Sequence, residues 1–460
     1  MDIMELVVSI NKVLWGPFML FLLLGTGVYF SFRMRFIQVR RVRLAVKQTF
    51  GFLFEKEKKE KVKGEVSSFQ SLATAIAAQV GTGNLAGVAG AIVSGGPGAV
   101  FWMWVSGFFG MGTIFAEAVI AQKFVQFKDG EKVGGPAYYI RYGLNSRFLA
   151  GFFAVAIILA LGLMGNVVQA NSIASSVYTA FKIPKVATGL FVAVLVMLIV
   201  AGGVSRINSV TEKIVPFMAL FYIIGSMIII LLNADMIIPA FKMIFVGAFN
   251  PKALGGGIVG VTIKEAFRYG VARGLFSNEA GMGSTPHSHA LAKVKHPAEQ
   301  GLTATLGVII DTGIICTMTA LVVLTTGALD TGFTGAELTQ AAFTNGFGSF
   351  GTKFVAICLF FFAFSTMIGW YFFGESNVKY LFGKKGILPY RALVSIVIVF
   401  GTVINVPLVW ELADMFNALM VFPNLIALLG MSALVFKIAN DFEGNFLENK
   451  DSEYENKKIS

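Results

Sequence analysis

Runs of roughly twenty apolar residues recur from one end of this chain to the other, each long enough to cross about 30 Å of hydrocarbon. The first, VLWGPFMLFLLLGTGVYFSF, runs into RMRF with no small-residue cleavage site between them. A membrane β-barrel would instead alternate apolar and polar residues in short stretches. The chain therefore reads as an all-α polytopic membrane protein with about eleven transmembrane helices. The spans fall near 13–32, 66–94, 98–124, 149–177, 186–204, 214–233, 256–284, 302–328, 353–377, 388–406 and 411–437. Of the 460 residues 56% are hydrophobic and 14% charged, which excludes a disordered chain.

The net charge of +11 would suit a nucleic-acid binder. The basic residues, however, lie in loops between spans, where they mark the cytoplasmic side of a cell membrane. The expected partner is a lipid bilayer, with no nucleic acid. RMRFIQVRRVRLAVK carries six basic residues and no acidic one, which places that loop inside and the N-terminus outside. AQKFVQFKDGEK, VSRINSVTEK, HALAKVKHPAEQ and FGKKG agree as inner loops; SGGPG, ALDTGFTGAEL and ELADM agree as outer ones. Lys182 and Lys185 dissent mildly. PAFKMIFVGAFNPKALGGG is too short to span and is expected in an outer loop. The charge-mixed residues 438–460 are expected to be a solvated, mobile cytoplasmic tail.

Two spans are interrupted. The second holds AAQVGTGNLAGVAG (77–90) and the seventh holds ARGLFSNEAGMG (272–283). Five crossings separate them, and an odd number forces opposite orientations. That pattern predicts an inverted repeat: a preceding segment 1–65 with one extra helix, a first five-helix unit at 66–235 and a second at 236–437. Broken helices in matching positions of such halves mark a transporter's binding site. In lipid an unpaired main-chain group costs several kcal/mol, so irregular backbone needs cover from protein, water or ligand. In the second span, carbonyls near Ala77 and Val80 would suit Na⁺ or an ammonium, and free N–H groups near Asn84 would suit a carboxylate. In the seventh, the break is expected at 274–278, with Ser277 or Asn278 capping the next half. An amino-acid-like solute beside a cation would satisfy both poles. Close packing of small residues is the rival explanation for the glycines.

Other polar residues carry alternatives. Ser365 and Thr366 are adjacent hydroxyls at mid-span; two hydroxyls with three carbonyls would make a five-oxygen Na⁺ site, although membrane hydroxyls more often bond back to their own helix. Asp311 and Glu117 are intramembrane acids: proton carriers or cation partners on one reading, structural pairs on the other. Asn166, Gln169 and Asn171 would orient solute or, more often, tie helices together. His287, His289 and His296 share one loop without a Cys or carboxylate at ligand spacing, so a solvated or capping role is expected. Cys316 and Cys358 read as small core residues. No nucleotide-binding or nucleophile signature stands out, so the chain is not read as an enzyme and no organic cofactor is expected.

GGPGAVFWMWVSGFFG (95–110), with VGTGN, GGPAYYI (134–140) and RGLFSNEAGMGSTPHSHA (273–290), resembles the alanine or glycine:cation symporter family over nearly the whole chain. The resemblance implies a LeuT-type fold with one extra N-terminal helix, and Na⁺- or H⁺-coupled uptake of alanine and glycine. It also implies one sodium on Ala77, Val80, Phe362, Ser365 and Thr366. A second sodium in some members uses the motif asparagine, here Asn84, but its other ligands do not map, so one coupling ion is expected. Implied substrate contacts are Ala78, Gln79, Gly81, Gly83, Asn84 and Thr366, then Gly274, Phe276 and Ser277, with Trp370 as a roof or wall. Gln79 departs from the small residue of some relatives. Neutral oxygens favour Na⁺ over a proton; a proton-coupled carrier would centre on Asp311 or Glu117.

Overall fold

Helices underlie all eleven apolar runs in the computed structural model, which describes residues 3–51, 66–128, 130–250, 262–404 and 407–447. The helices that matter below are, in chain order, α1 (Ile3–Leu14), α2 (Pro17–Arg33), α3 (Val42–Phe50), α4 (Ser68–Gln79), α5 (Val88–Gly95) and α6 (Gly98–Lys123). Then come α7 (Arg147–Phe181), α8 (Lys185–Val200), α9 (Gly203–Leu232), α10 (Ile237–Phe249), α11 (Ile263–Asn278) and α12 (Pro286–His289). The rest are α13 (Pro297–Thr325), α14 (Gly335–Phe347), α15 (Ser349–Phe382), α16 (Ile387–Gly401), α17 (Pro407–Gly430) and α18 (Ser432–Asp441). Among the described residues, six helical spans are long and apolar enough to cross a membrane, and two bent pairs raise this to eight. The other three runs fall on the shorter α8, on α11, and on α16, which follows α15 after a turn at Gly383–Gly386.

Two long helices organise the bundle. α6 packs against α2, α10, α11 and α13. Its glycines allow this: a Cβ on Gly98 would meet the backbone of Gly247, one on Gly107 would meet Thr312, and one on Gly112 would meet Ser31. Such small-residue contact is the usual means by which membrane helices approach. α15 is the second hub and packs against α4, α7, α9 and α14. The interrupted helices lie between the hubs.

Several expectations change. The first span extends back to Ile3 as a pair bent by 41°, because Gly16 and Pro17 restart the helix. The expected outer loop at 239–257 begins as the helix α10, packed on α6, and residues 251–261 lie outside the described set. The start of the C-terminal tail is helical and docked. Phe442 is fully buried, and Glu443 pairs with Arg40 at 2.7 Å and Arg41 at 3.0 Å. Aromatic burial and charge pairing offset the solvation expected of a charge-mixed run. Residues 448–460 lie outside the described set.

Candidate functional site

A capping box starts α4: Ser67 accepts from the Gln70 N–H, and Gln70 accepts from the Ser67 N–H, each at 3.1 Å. The helix runs to Gln79 and stops where Val80 turns extended. The chain resumes in a wide π turn at Gly83–Gly87, and the two halves differ in direction by 53°. Freed main-chain groups find partners on α15, on α7 and within the break itself. The Thr366 hydroxyl donates toward the carbonyls of Ala77 at 3.0 Å, Val80 at 3.2 Å and Phe362 at 3.0 Å. The Ser365 hydroxyl lies 2.9 Å from the Phe362 carbonyl and 3.4 Å from that of Ala77. The Thr82 N–H donates to Gln169 at 3.3 Å, and the Gly81 N–H donates to the Asn84 carbonyl oxygen at 2.9 Å. A Cβ on Gly81 would stand 2.5 Å from the Thr366 hydroxyl, so only glycine permits this approach.

The second break lies further along than expected. α11 is continuous through Gly274, Phe276, Ser277 and Asn278, and the chain unwinds only from Glu279 to Thr285 before α12. The physical reason is visible at Gly274: its bare Cα faces α6, and a Cβ would stand 2.2 Å from the Ser106 hydroxyl. That glycine serves close packing and is not brought together with the first break. The positive φ angles belong to Glu279 (56°), Gly281 (87°) and Gly283 (79°). Glu279 ends the helix by donating its N–H to the Leu275 carbonyl at 3.0 Å, as a left-handed cap does.

The last turn of α11 nevertheless meets the first break. The Gln79 amide donates to the Asn278 carbonyl at 2.6 Å, and its own buried carbonyl oxygen has no partner among the described residues. The Phe276 ring lies 3.8 Å from where a Cβ on Gly83 would sit. Ser277 donates to Asp311 at 3.0 Å, and Asn84 donates to the same carboxylate oxygen. Asp311 sits in a π-helical stretch of α13, Ile309–Cys316, the kind of local widening often found at functional sites. Asp311 thus joins both broken helices and forms no ion pair among the described residues. Cys316 lies beside it, 3.3 Å from the Ser277 hydroxyl, and Cys358 is buried elsewhere on α15.

Glu117 has structural partners. From α6 it accepts the N–H groups of Gly281 at 3.1 Å and Gly283 at 2.9 Å, and the Asn424 amide at 2.6 Å. Successive backbone donors around an unwound stretch form such an anion nest. Ala78 is buried against Gly369 of α15. Trp370 lies one turn beyond Thr366 and donates its indole N–H to Glu279 at 2.7 Å. Glu279 escaped notice in the sequence because it sits beside glycines at a span's end, where a solvated acid is unremarkable. Asn171 ties α7 to the Gly401 carbonyl at 2.9 Å, and Asn166 bonds back to Gly162 at 2.8 Å.

The histidines are not solvated. His287 and His289 are 2% and 1% exposed, and burial pushes the His287 imidazole down to about 4. His287 is sandwiched between Phe153 and Phe373, which explains its place. His296 does cap a helix, accepting the Ala298 N–H at 3.1 Å.

Accessibility differs between the halves of the first broken helix. Every residue from Ser71 to Thr82 is buried, whereas Gly83, Ala86, Gly87 and Gly90 are partly exposed. Ala86, Gly87 and Gly90 line a vestibule of about 470 Å³, walled by Ser172 and Ser176 of α7 and Gln340 of α14. Every residue from Ser277 to Ala292 is buried as well. Solvent thus approaches the break from one end.

Comparison with known proteins agrees with this architecture. The sodium/alanine symporter AgcS of Methanococcus maripaludis is 43% identical over 462 residues, covering 98% of this chain and all of that one. The probable sodium/glutamine symporter GlnT of Bacillus subtilis is 40% identical over 454 residues, covering 98% and 93%. MhsT, solved with L-phenylalanine, superposes with a TM-score of 0.56 at 11% identity, over 82% of this chain and 99% of its own, which establishes the LeuT-type fold. The Sodium:alanine symporter family profile matches residues 1–456. The chain is a membrane transporter and not an enzyme. With two interrupted helices meeting between two hubs, and a profile match over nearly its whole length, it belongs to the sodium:alanine symporter family.

Proposed function

We propose that this sodium-coupled amino-acid symporter carries small neutral amino acids, alanine and glycine, by alternating access. The observation that carries the reading is the five-oxygen cluster. The Thr366 hydroxyl lies within 3.2 Å of the carbonyls of Ala77, Val80 and Phe362, and the Ser365 hydroxyl within 3.4 Å of those of Ala77 and Phe362. Neutral oxygens at an unwound helix are the ligand set by which such transporters hold Na⁺. In this reading the ion rotates the two hydroxyls away from the carbonyls they now meet, and all five oxygens turn onto it.

The solute lies beside the ion, against Ala78, Gln79, Gly81, Gly83 and Asn84 of the first break. Gln79 offers a side-chain carbonyl oxygen without a partner among the described residues. Phe276 and Ser277 bound the far side, Thr366 touches both ligands, and Trp370 closes the site below. The short distance from Gly83 to the Phe276 ring favours small side chains. Gly274 drops out as a contact because it faces α6. The N-terminus lies outside and the C-terminus in the cytoplasm, so the vestibule faces outward. Residues 66–235 and 236–437 act as the two inverted units. Ion and solute favour the same closure and raise each other's affinity by an equal factor.

A second reading, proton coupling, rests on Asp311, whose carboxylate joins Asn84 and Ser277 without a basic partner among the described residues. The experiment that separates ligand identity from coupling is counterflow of labelled alanine in proteoliposomes. Unlabelled glycine inside should drive it in sodium and not in choline, and leucine should fail to drive it. Equal exchange without sodium would overturn the proposal.

A further inference from the structure

One face of α15 carries ties to both broken helices. Thr366, Trp370, Phe373 and Asn377 follow at four-, three- and four-residue steps, which places them in line along one side of a helix. Thr366 meets the first break, as described. Trp370 donates to Glu279 at 2.7 Å, and the Asn377 amide lies 2.8 Å from the His287 ring nitrogen. Phe373 fills the interval and stacks on the same imidazole, with ring centroids 5.4 Å apart. The segment from Glu279 to His287 is thereby fastened to α15 at each end.

The backbone of that segment is irregular from Glu279 to Thr285. It has three positive-φ residues within five positions, and its middle is held to α6 by Glu117 rather than to α15. Polar groups within the segment and on the facing α15 are incompletely satisfied. The Thr285 hydroxyl and the Asn377 carbonyl oxygen are buried without a partner among the described residues. Buried polar atoms left unpaired are costly. A surface that becomes wet in another state of the cycle relieves that cost, whereas a permanent weld never does. The vestibule lies at the other end of the bundle, while everything from Ser277 to Ala292 is buried.

We infer that Glu279 and His287 form an inner latch: their ties to Trp370 and Asn377 hold the cytoplasmic route shut while the outer vestibule is open, and they part to release cargo. The hinge is the Gly281–Gly283 stretch, with Glu117 as its pivot, so the α12 leg swings from α15, and its Ser288 leaves the Ser71 carbonyl of α4, while the leg remains on α6. Glu279 and His287 are positioning residues that act through the leg and need not touch solute. The inference rests on the alternating-access reading and on its orientation in the membrane.

The test is chemical access to the inner leg. Ser288 is 1% exposed on α12, and both native cysteines are buried. Ser288→Cys in inside-out vesicles is treated with a membrane-impermeant maleimide, without sodium or solute. Trp370→Phe, which keeps the ring and loses only the donor, and Asn377→Leu should each raise the labelling rate about fivefold. Glu279→Gln keeps an acceptor for the indole and should stay near the parent rate, whereas Glu279→Leu should rise with the other two. Parent-like labelling in both Trp370→Phe and Asn377→Leu would overturn the latch. Labelling requires no transport, so that result would leave sodium coupling standing. Loss of sodium-driven uptake with the labelling pattern intact would instead remove the transport reading.

Discussion

The hydroxyl of Thr366 lies 3.0 Å from the carbonyl oxygen of Ala77, a residue 289 positions away in the chain. Through that contact α15 reaches the carbonyls freed where α4 ends. Thr366→Val keeps the shape and removes the oxygen. Losing one buried polar partner costs roughly 1–3 kcal/mol, or about 5- to 150-fold in an equilibrium constant. The sodium concentration for half-maximal uptake should rise about fivefold or more, with protein yield unchanged. Sodium titrations of initial uptake rate check this.

Gly81→Ala puts a methyl group 2.5 Å from the Thr366 hydroxyl, where nothing can give without disturbing the break. Uptake should fall more than tenfold while the purified protein stays monodisperse. A variant with parental uptake would remove the close approach from the mechanism.

Gln79 connects the two interrupted helices by donating to the Asn278 carbonyl. Gln79→Leu should weaken alanine binding by about tenfold and reduce the factor by which sodium tightens it. Equilibrium binding of labelled alanine at low and high sodium measures both. An unchanged coupling factor would detach Gln79 from the site.

Glu117 satisfies two backbone donors of the hinge and the Asn424 amide. Glu117→Ala orphans them, at roughly 1–3 kcal/mol each. The melting temperature in detergent should drop by several degrees. Glu117→Gln should lie between, because an amide retains one acceptor oxygen. A stable Glu117→Ala with lost proton dependence would favour the carrier role instead.

Much of this was legible in the sequence because lipid makes irregular backbone conspicuous. Four glycines and two amides in an otherwise apolar run mark the first break, and the structure unwinds at Val80 within that run. The second break was displaced because a glycine in a membrane helix has two uses that read alike. Gly274 serves contact with α6, and Gly281 and Gly283 serve backbone conformation. Glu279 has no signal in the sequence, and His287 and His289 read as solvated, for a related reason. A polar residue at a span's end looks solvated until tertiary packing covers it, as Phe153 and Phe373 cover His287. Asn84 and Asp311 each stand out in the sequence, but their contact spans 227 positions and has no local signature.

The most direct measurement is accumulation of labelled alanine in proteoliposomes under an imposed Na⁺ gradient, an imposed H⁺ gradient, or neither, in the native chain and in Asp311→Asn. Sodium alone should drive uphill uptake in the native protein, and Asp311→Asn should retain it at a reduced rate. Accumulation driven by protons without sodium, abolished in Asp311→Asn while exchange persists, would contradict sodium coupling at the first break.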